Sequence, residues 1–494
     1  MHMLMGGVAC TESVGTLWSG LTWSVDGSGT KVVISPGWWP DNKTTPTVWR
    51  TNQTAASMIF KVSNCTAFGL KLGNQCYSSS AVRPGLLAAR KATTELGLFA
   101  STTYVTGIKP GNNPQGVWIY TNLDKTQTYY IQVITAMPGD YPTLSGTSPN
   151  GFCSFERMRQ PALGVNSADG GLGNHYGAFW DVIGVVASPG TTFNNITWAN
   201  TQKKFLIYSD SNCDGNVSGG TTTYTTAEHR ASLLANNDNF ASGVWDIRGV
   251  TVQWFWTAIQ TYCVANNYVP VIMNISGGGA WQGKMGSATR TGHQAWWPGI
   301  YADLVDRFKY RTNNSNTDFT VGTDWTSGWT PHGIILGSFY NDRLQATIEA
   351  TYFSESNFTG GTVKDNVANS TGTPVATMKT IFTQWATAKM FAVVAQCTDA
   401  IIGDSKTTLA SIAAGIDVGG AAGSYYAFSA PSGTQYLSGL GRYANLYTLV
   451  NGVNGFSNTL DLDGSQGTGQ PHPNASQHET IRSAIQSTFN ALAI

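Results

Sequence analysis

The chain has 494 residues, enough for two or three domains that each bury a full core. Its 28 basic and 28 acidic side chains cancel, and charged residues make up only 11% of the total. That balance argues against a nucleic-acid partner, which would leave a basic footprint. No apolar run approaches the length needed to span a membrane, so no spanning helix is expected.

Residues 1–198 read as strands and turns. "ASMIFKVSNC", "GVWIYTNL", "QTYYIQVITAM" and "AFWDVIGVVAS" are short β-branched or aromatic runs. Clusters of Gly, Pro, Asn and Asp such as "KPGNNPQG" separate them. Only "PGLLAARKATTELGLFA" looks helical. Short strands of this kind pack sheet against sheet, which predicts an all-β sandwich resembling a jelly roll.

From residue 199 the texture changes. "KKFLIYS" reads as a buried strand, followed by a predicted helix in "TVQWFWTAIQTYCVANN" and a strand in "VPVIMNIS". A helix in "WPGIYADLVDRFKY", a strand in "HGIILGS", a helix in "MKTIFTQWATAK" and a strand in "MFAVVAQ" follow. Four buried strands separated by helices predict a parallel sheet with crossover helices, an α/β domain over 199–494. Near the end, Ser476 and Glu479 have capping-box spacing, and Ile481, Ala484, Ile485, Phe489 and Leu492 form one apolar stripe.

Seven cysteines with no C-x-x-C pair speak against a zinc ribbon. Cys65 and Cys76 have a spacing that a disulfide could close, and the redox compartment is left open. Met1 to Met5 is too short for the apolar region of a signal peptide. Asp210, Asn212, Asp214 and Gly215 match the first half of a calcium loop, but its last position is Thr221 instead of Glu.

In open α/β sheets ligands bind beyond the carboxyl ends of the strands. The residues after the first three α/β strands are Ser209-Asp210-Ser211, Asn274-Ile275-Ser276-Gly277-Gly278-Gly279 and Gly337-Ser338-Phe339-Tyr340-Asn341-Asp342. Pro471-His472-Pro473-Asn474 precedes the last helix. This ordered set resembles the four blocks of the SGNH (GDSL-type) hydrolase superfamily, over roughly residues 200–494. The resemblance implies a flavodoxin-like three-layer α/β/α hydrolase domain that needs no cofactor and no metal. Ser211 then corresponds to the nucleophile, Gly277 (with Gly278 as rival) and Asn341 to oxyanion donors beside the Ser211 N–H, and His472 to the general base. Two departures stand out. Ser209 replaces the usual Gly, and Gly469 stands where the family has an acid three residues before the histidine. Asp463 or Asp461 would then orient His472, or a backbone carbonyl would do so in a Ser-His dyad. Gly403-Asp404-Ser405 spells the family's letters more closely, but leaves too little chain after it for the remaining blocks.

A β-sandwich ahead of such a domain resembles carbohydrate esterases and phage tail esterases. That implies removal of O-acetyl groups from a polysaccharide, in an extracellular or virion-associated setting, with a trimer expected of a tail protein. Trp281, Trp296 and Trp325, with Trp297 and Trp329, lie in loops that would surround the site and suit stacking on sugars. An esterase or lipase on small or polymeric esters, and an inactive carbohydrate- or receptor-binding protein on the same fold, are the alternatives.

Overall fold

The computed structural model describes residues 16–18, 23–25, 29–35, 38–41, 48–51, 56–72, 86–108, 117–137, 180–208, 254–274, 310–311, 318–319, 330–336, 385, 388–392, 443–445, 486, 490 and 494. Two sheets occupy the first 193 residues. The first sheet holds β1 (Thr16–Trp18), β4 (Trp39–Asp41), β5 (Val48–Thr51), β7 (Phe68–Leu72), β10 (Val117–Tyr120) and β12 (Trp180–Ala187), all antiparallel. The second holds β2 (Trp23–Val25), β3 (Val32–Ile34), β6 (Ser57–Ser63), β8 (Leu86–Ala92), β9 (Val105–Ile108), β11 (Tyr129–Met137) and β13 (Thr192–Phe193). It is antiparallel except for the β2–β3 pair.

Period-2 alternation decides which side chains meet. Met58, Phe60 and Val62 of β6, Ile131 and Val133 of β11, and Leu87 and Ala89 of β8 join one buried cluster. Phe68, Leu70 and Leu72 of β7 and Val182 and Val185 of β12 belong to the same cluster, so it links both sheets. The Phe60 and Phe68 rings meet at a centroid distance of 5.2 Å. The intervening residues of the second sheet, Val33, Ile59 and Tyr130, are buried in a different cluster with Leu98, Phe99, Ile196 and Val269. The second sheet is therefore covered on both faces, which is why its strands read as near-continuous apolar runs.

The segment 84–100 corrects the sequence expectation. Only α1 (Glu95–Ala100) is helical, with the Thr94 hydroxyl accepting from the Gly97 N–H at 3.2 Å as its N-cap. Leu86–Ala92 is a strand paired with β11 and β9. Leu, Ala, Arg and Lys are good helix formers, but two sheet neighbours and two buried faces override that weak preference.

A five-stranded parallel sheet follows: β14 (Gln202–Tyr208), β15 (Val269–Asn274), β18 (Gly333–Leu336), β19 (Lys389–Ala392) and β20 (Tyr443–Asn445). Its spatial order is β15-β14-β18-β19-β20. Counted within this unit the order is 2-1-3-4-5, the flavodoxin-like arrangement of an α/β fold. The strand at 443–445 is a fifth where the sequence suggests four, because three residues are too short to show a pattern. Between β14 and β15 runs α2 (Trp254–Ala265), as predicted. It ends where Asn267 takes φ +56°, with the Asn267 N–H donating to Val264 O and the Tyr268 N–H to Cys263 O. This left-handed cap turns the chain directly into β15.

Of the predicted helix in "WPGIYADLVDRFKY", only its last residue is described. Tyr310 instead opens a short ribbon, β16 (Tyr310–Arg311) paired with β17 (Asp318–Phe319). Lys389, the last residue of the predicted "MKTIFTQWATAK" helix, begins β19. Of the predicted final helix, Gln486 and Asn490 are described and are helical, joined by a Gln486 Nε2–Asn490 Oδ1 hydrogen bond of 3.2 Å. Ile494 is buried, and its carbonyl accepts from the Tyr262 hydroxyl of α2. Cys65 is a buried free thiol donating to Ala67 O, and its suggested partner Cys76 lies outside the described residues. Cys263 is also free and buried, and burial pushes its pKa up. Among the described residues no helix is long and apolar enough to cross a membrane.

At the amino edge of the parallel sheet, His332 accepts the Lys204 N–H on Nδ1 at 3.0 Å while its own N–H donates to Lys204 O at 2.7 Å. An accepting Nδ1 must be unprotonated, so the neutral ring carries its proton on Nε2. Burial first, then Lys203 and Lys204, lower the His332 pKa from its ordinary 6.5. The unfolded chain thus takes up the proton at a higher pH than the folded one. The stability His332 contributes is complete above about pH 6.5 and is lost as pH falls through the folded value. Denaturation midpoints measured from pH 8 to 5 are expected to fall below about pH 6.5. His332→Gln, which keeps an acceptor but does not titrate, is expected to fall less steeply.

Candidate functional site

The carboxyl ends of the five parallel strands form one edge. Ile207 pairs with Asn274, Tyr208 with Leu336, Leu336 with Ala392, and Ala392 with Asn445. The strand ends are thus level to within about one residue, a rise of ~3.3 Å. The strand order reverses between β14 and β18, which are neighbours although β15 comes between them in sequence. Such a switch point opens a crevice beyond the strand ends, because the connections leave to opposite sides of the sheet.

The chain passes from these strand ends into the predicted blocks. Ser211 follows the end of β14, Gly277 that of β15, and Asn341 that of β18. Ser211, Gly277, Gly278, Asn341, Asp461, Asp463, His472 and Ser405 all lie outside the described residues, as do Trp281, Trp296, Trp297, Trp325 and Trp329.

A second polar assembly, which the sequence reading missed, sits where the parallel sheet meets the second antiparallel sheet. Arg90 of β8 is only 1% exposed. Its Nε donates to Gln132 Oε1 at 2.7 Å and its Nη2 to Gln260 Oε1 at 2.9 Å. Its Nη1 reaches Phe99 O at 3.2 Å, Ser101 O at 3.0 Å and the Tyr104 hydroxyl at 3.1 Å. The guanidinium lies 5.3–5.8 Å from the ring centroids of Trp256, Tyr104 and Phe99. Arg90 belongs to β8, Gln132 to β11 and Gln260 to α2, so one cation ties the antiparallel sheet to the α/β unit. Burial lowers the Arg90 pKa, and Tyr104 opposes that only in part. A guanidinium is not deprotonated in proteins, so the group stays charged.

The chain between the two units is tied down as well. The Glu95 carboxylate, at the first turn of α1, accepts from the Ala199 N–H at 3.0 Å, the Asn200 N–H at 3.1 Å and Asn200 Nδ2 at 3.1 Å. Trp198 packs on Tyr130 and Phe99, with centroids 6.3 and 6.1 Å away. A crevice of about 20 Å³ lies at this junction, lined by Ser57, Gln132, Trp198, Trp256, Gln260 and Val269 among others. A signal for this assembly was present in the sequence. Gln132 in "YYIQVIT" and Gln260 in "WTAIQTYC" are lone amides inside apolar runs, and a buried amide needs a partner.

No protein-family model matches the chain, and no curated protein matches it by sequence. Among solved structures it is similar to a family two carbohydrate esterase from Cellvibrio japonicus, at 10% identity over 94% of this chain and 95% of that one, with a TM-score of 0.49. It is similar also to an acetyl xylan esterase from the rumen bacterium Butyrivibrio proteoclasticus, at 12% identity over 97% and 98% of the two chains and a TM-score of 0.48. A third similar structure is a salicylyl-acyltransferase from a tetracycline biosynthetic pathway, at 11% identity over 95% and 97% and a TM-score of 0.47.

Proposed function

We propose that the chain is a serine esterase acting through an acyl-enzyme, with acetylated polysaccharide as its substrate. In this reading residues 199–494 form a three-layer α/β/α hydrolase domain and residues 1–198 a jelly-roll-like accessory domain. The observation that carries it is the 2-1-3-4-5 strand order, whose switch point falls between the strands leading to Asp210-Ser211 and to Asn341-Asp342.

Covalent reach supports the grouping. Three residues of chain extend at most about 11 Å, so Ser211 and Gly277 stay within that distance of Tyr208 and Asn274. Five residues give Asn341 about 18 Å from Leu336. The three strands are neighbours at about 4.8 Å spacing, so their ends span only about 10 Å. For His472 the support comes from the other edge. Ile494 Cδ1 lies 3.1 Å from where a Cβ on Gly333, the first residue of β18, would stand. A helix from Ser476 to Ile494 rises about 27 Å, and seven strand residues about 23 Å. In this reading the predicted terminal helix runs antiparallel to the strands, which would carry residues 472–474 toward the carboxyl edge.

In the proposed reaction the Ser211 hydroxyl attacks the ester carbonyl carbon while His472 takes its proton. The tetrahedral oxyanion accepts hydrogen bonds from the Ser211 and Gly277 N–H groups and the Asn341 amide. Collapse expels the alcohol, which takes the proton from His472. Water, deprotonated by the same imidazole, then attacks the acyl carbon, and the Ser211 Oγ–acyl bond breaks as Ser211 Oγ takes the proton back from His472, releasing acetate. Asp463 is the residue assigned to orient His472. Trp281, Trp296 and Trp325 are assigned to stack on the glycan, which suits an extracellular or virion-borne enzyme.

Labelling with a fluorophosphonate tests the reading. Covalent modification of Ser211 in the wild-type protein, absent in Ser211→Ala, is expected. A chain that resists labelling yet binds acetylated glycan would be a binding protein on this fold, a reading favoured by Gly469 at the acid's usual position. Asn341→Ala is expected to lower kcat about 10²–10³-fold with little change in KM, the usual effect of losing one oxyanion donor.

A further inference from the structure

We propose that the crevice at the junction of the two units binds one small monovalent anion of the halide class. The argument starts from the arginine. A guanidinium only donates, so Gln132 and Gln260 have to turn their Oε1 atoms toward Arg90, as their 2.7 and 2.9 Å bonds show. That fixes both amide orientations. The two Nε2 groups, with two N–H donors each, then have no partner among the described residues. Both side chains line the crevice, and they are 3% and 6% exposed. Trp198 lines it too, and its buried indole N–H also has no acceptor among the described residues.

Charge points the same way. Every group that accepts from Arg90 is neutral: two amides, two carbonyls and a phenol. The neighbouring carboxylate, Glu95, is committed to Ala199 and Asn200. The site therefore offers unpartnered donors beside a buried cation that has no counter-charge among the described residues. A water molecule needs acceptors for its own two O–H groups, for which the crevice offers the side-chain oxygens of Ser35, Ser57 and Gln202, whereas a halide only accepts and also supplies negative charge. Size narrows the class. About 20 Å³ admits one water-sized particle and no sugar ring.

Two measurements test this together. Crystals of the full chain soaked in sodium bromide are expected to show an anomalous peak within hydrogen-bonding distance of Gln132 Nε2 and Gln260 Nε2. In solution, Tm is expected to rise saturably when chloride replaces gluconate at constant ionic strength. Gln260→Glu keeps the acceptor for Arg90 but supplies the negative charge and removes two donors, so its Tm is expected to lose the chloride dependence. Water or no density at the crevice would overturn the proposal, as would an undiminished chloride response in Gln260→Glu. A bromide peak without any chloride effect on Tm would mean an adventitious ion only, and would overturn it equally.

Discussion

Alanine at Ser211 is expected to reduce ester hydrolysis by a factor on the order of 10⁶, the loss seen when the nucleophile of a serine hydrolase is removed. The oxyanion donors and substrate binding survive that change, so a residual on the order of 10³-fold over water is expected to remain. KM is expected to move little, because the hydroxyl is a small part of the contact surface. Ser405→Ala, at the segment that spells Gly-Asp-Ser most closely, is the control and is expected to leave the rate within about twofold. Acetate release from a panel of acetylated polysaccharides measures both. Loss of activity in Ser405→Ala with retention in Ser211→Ala would transfer the nucleophile to 405 and dismantle the strand-by-strand argument. The magnitude makes the test decisive, since a turn-disrupting effect at 211 would act through stability and leave folded protein active.

Arg90→Met is expected to remove more than about 3 kcal/mol of stability. Two effects compete at this position. Burying the cation has a desolvation cost, and an apolar side chain of similar length relieves it. Against this, the substitution leaves Gln132 Oε1, Gln260 Oε1, Phe99 O, Ser101 O and the Tyr104 hydroxyl without their shared donor. A buried group left unsatisfied costs about 1–3 kcal/mol, and three of these contacts, to Gln132, Gln260 and Phe99, are fully buried, so the loss of acceptor partners wins. Against a total stability of about 5–15 kcal/mol, that is a large fraction. Arg90→Lys is expected to rescue little, because a single ammonium does not span five acceptors in a plane. The urea midpoint followed by tryptophan fluorescence measures all three proteins. An Arg90→Met protein that unfolds at the wild-type midpoint would show the junction to be held by apolar contact alone.

The same residue shows where sequence reading reaches its limit. In "GLLAARKATTELGLFA" the helix-forming composition is real, yet Leu86–Ala92 is a strand. Leu87 and Ala89 face one core, while Arg90 belongs to the other side of the sheet with Gln132. Nothing local reports that both sides will be covered. Where local and tertiary demands agree, the reading holds. "KKFLIYS", "VPVIMNIS" and "HGIILGS" are strands because β-branched and aromatic runs of that length are buried on both faces of a parallel sheet. The helix "WFWTAIQTYCVA" lies between two of them, as the alternation demands. The blocks proposed for the site were read in the same way, from their order and the strands ahead of them, and their residues lie outside the described ones. The junction was not legible, because Arg90 and Gln260 are far apart in the chain and only packing brings them together.

By itself the sequence determined a turn-rich antiparallel first part, an α/β second part, near neutrality, and the succession of short blocks that follow its strands. Composition, period and turn residues are local properties, and each is readable without knowing the partners of a segment. Only the tertiary structure decided the 2-1-3-4-5 order and the tying of the two units through Arg90, Gln260 and Glu95. Both depend on contacts between residues distant in sequence. Strand pairing is set by the burial of whole faces, and a buried charge by which acceptors the fold happens to assemble around it.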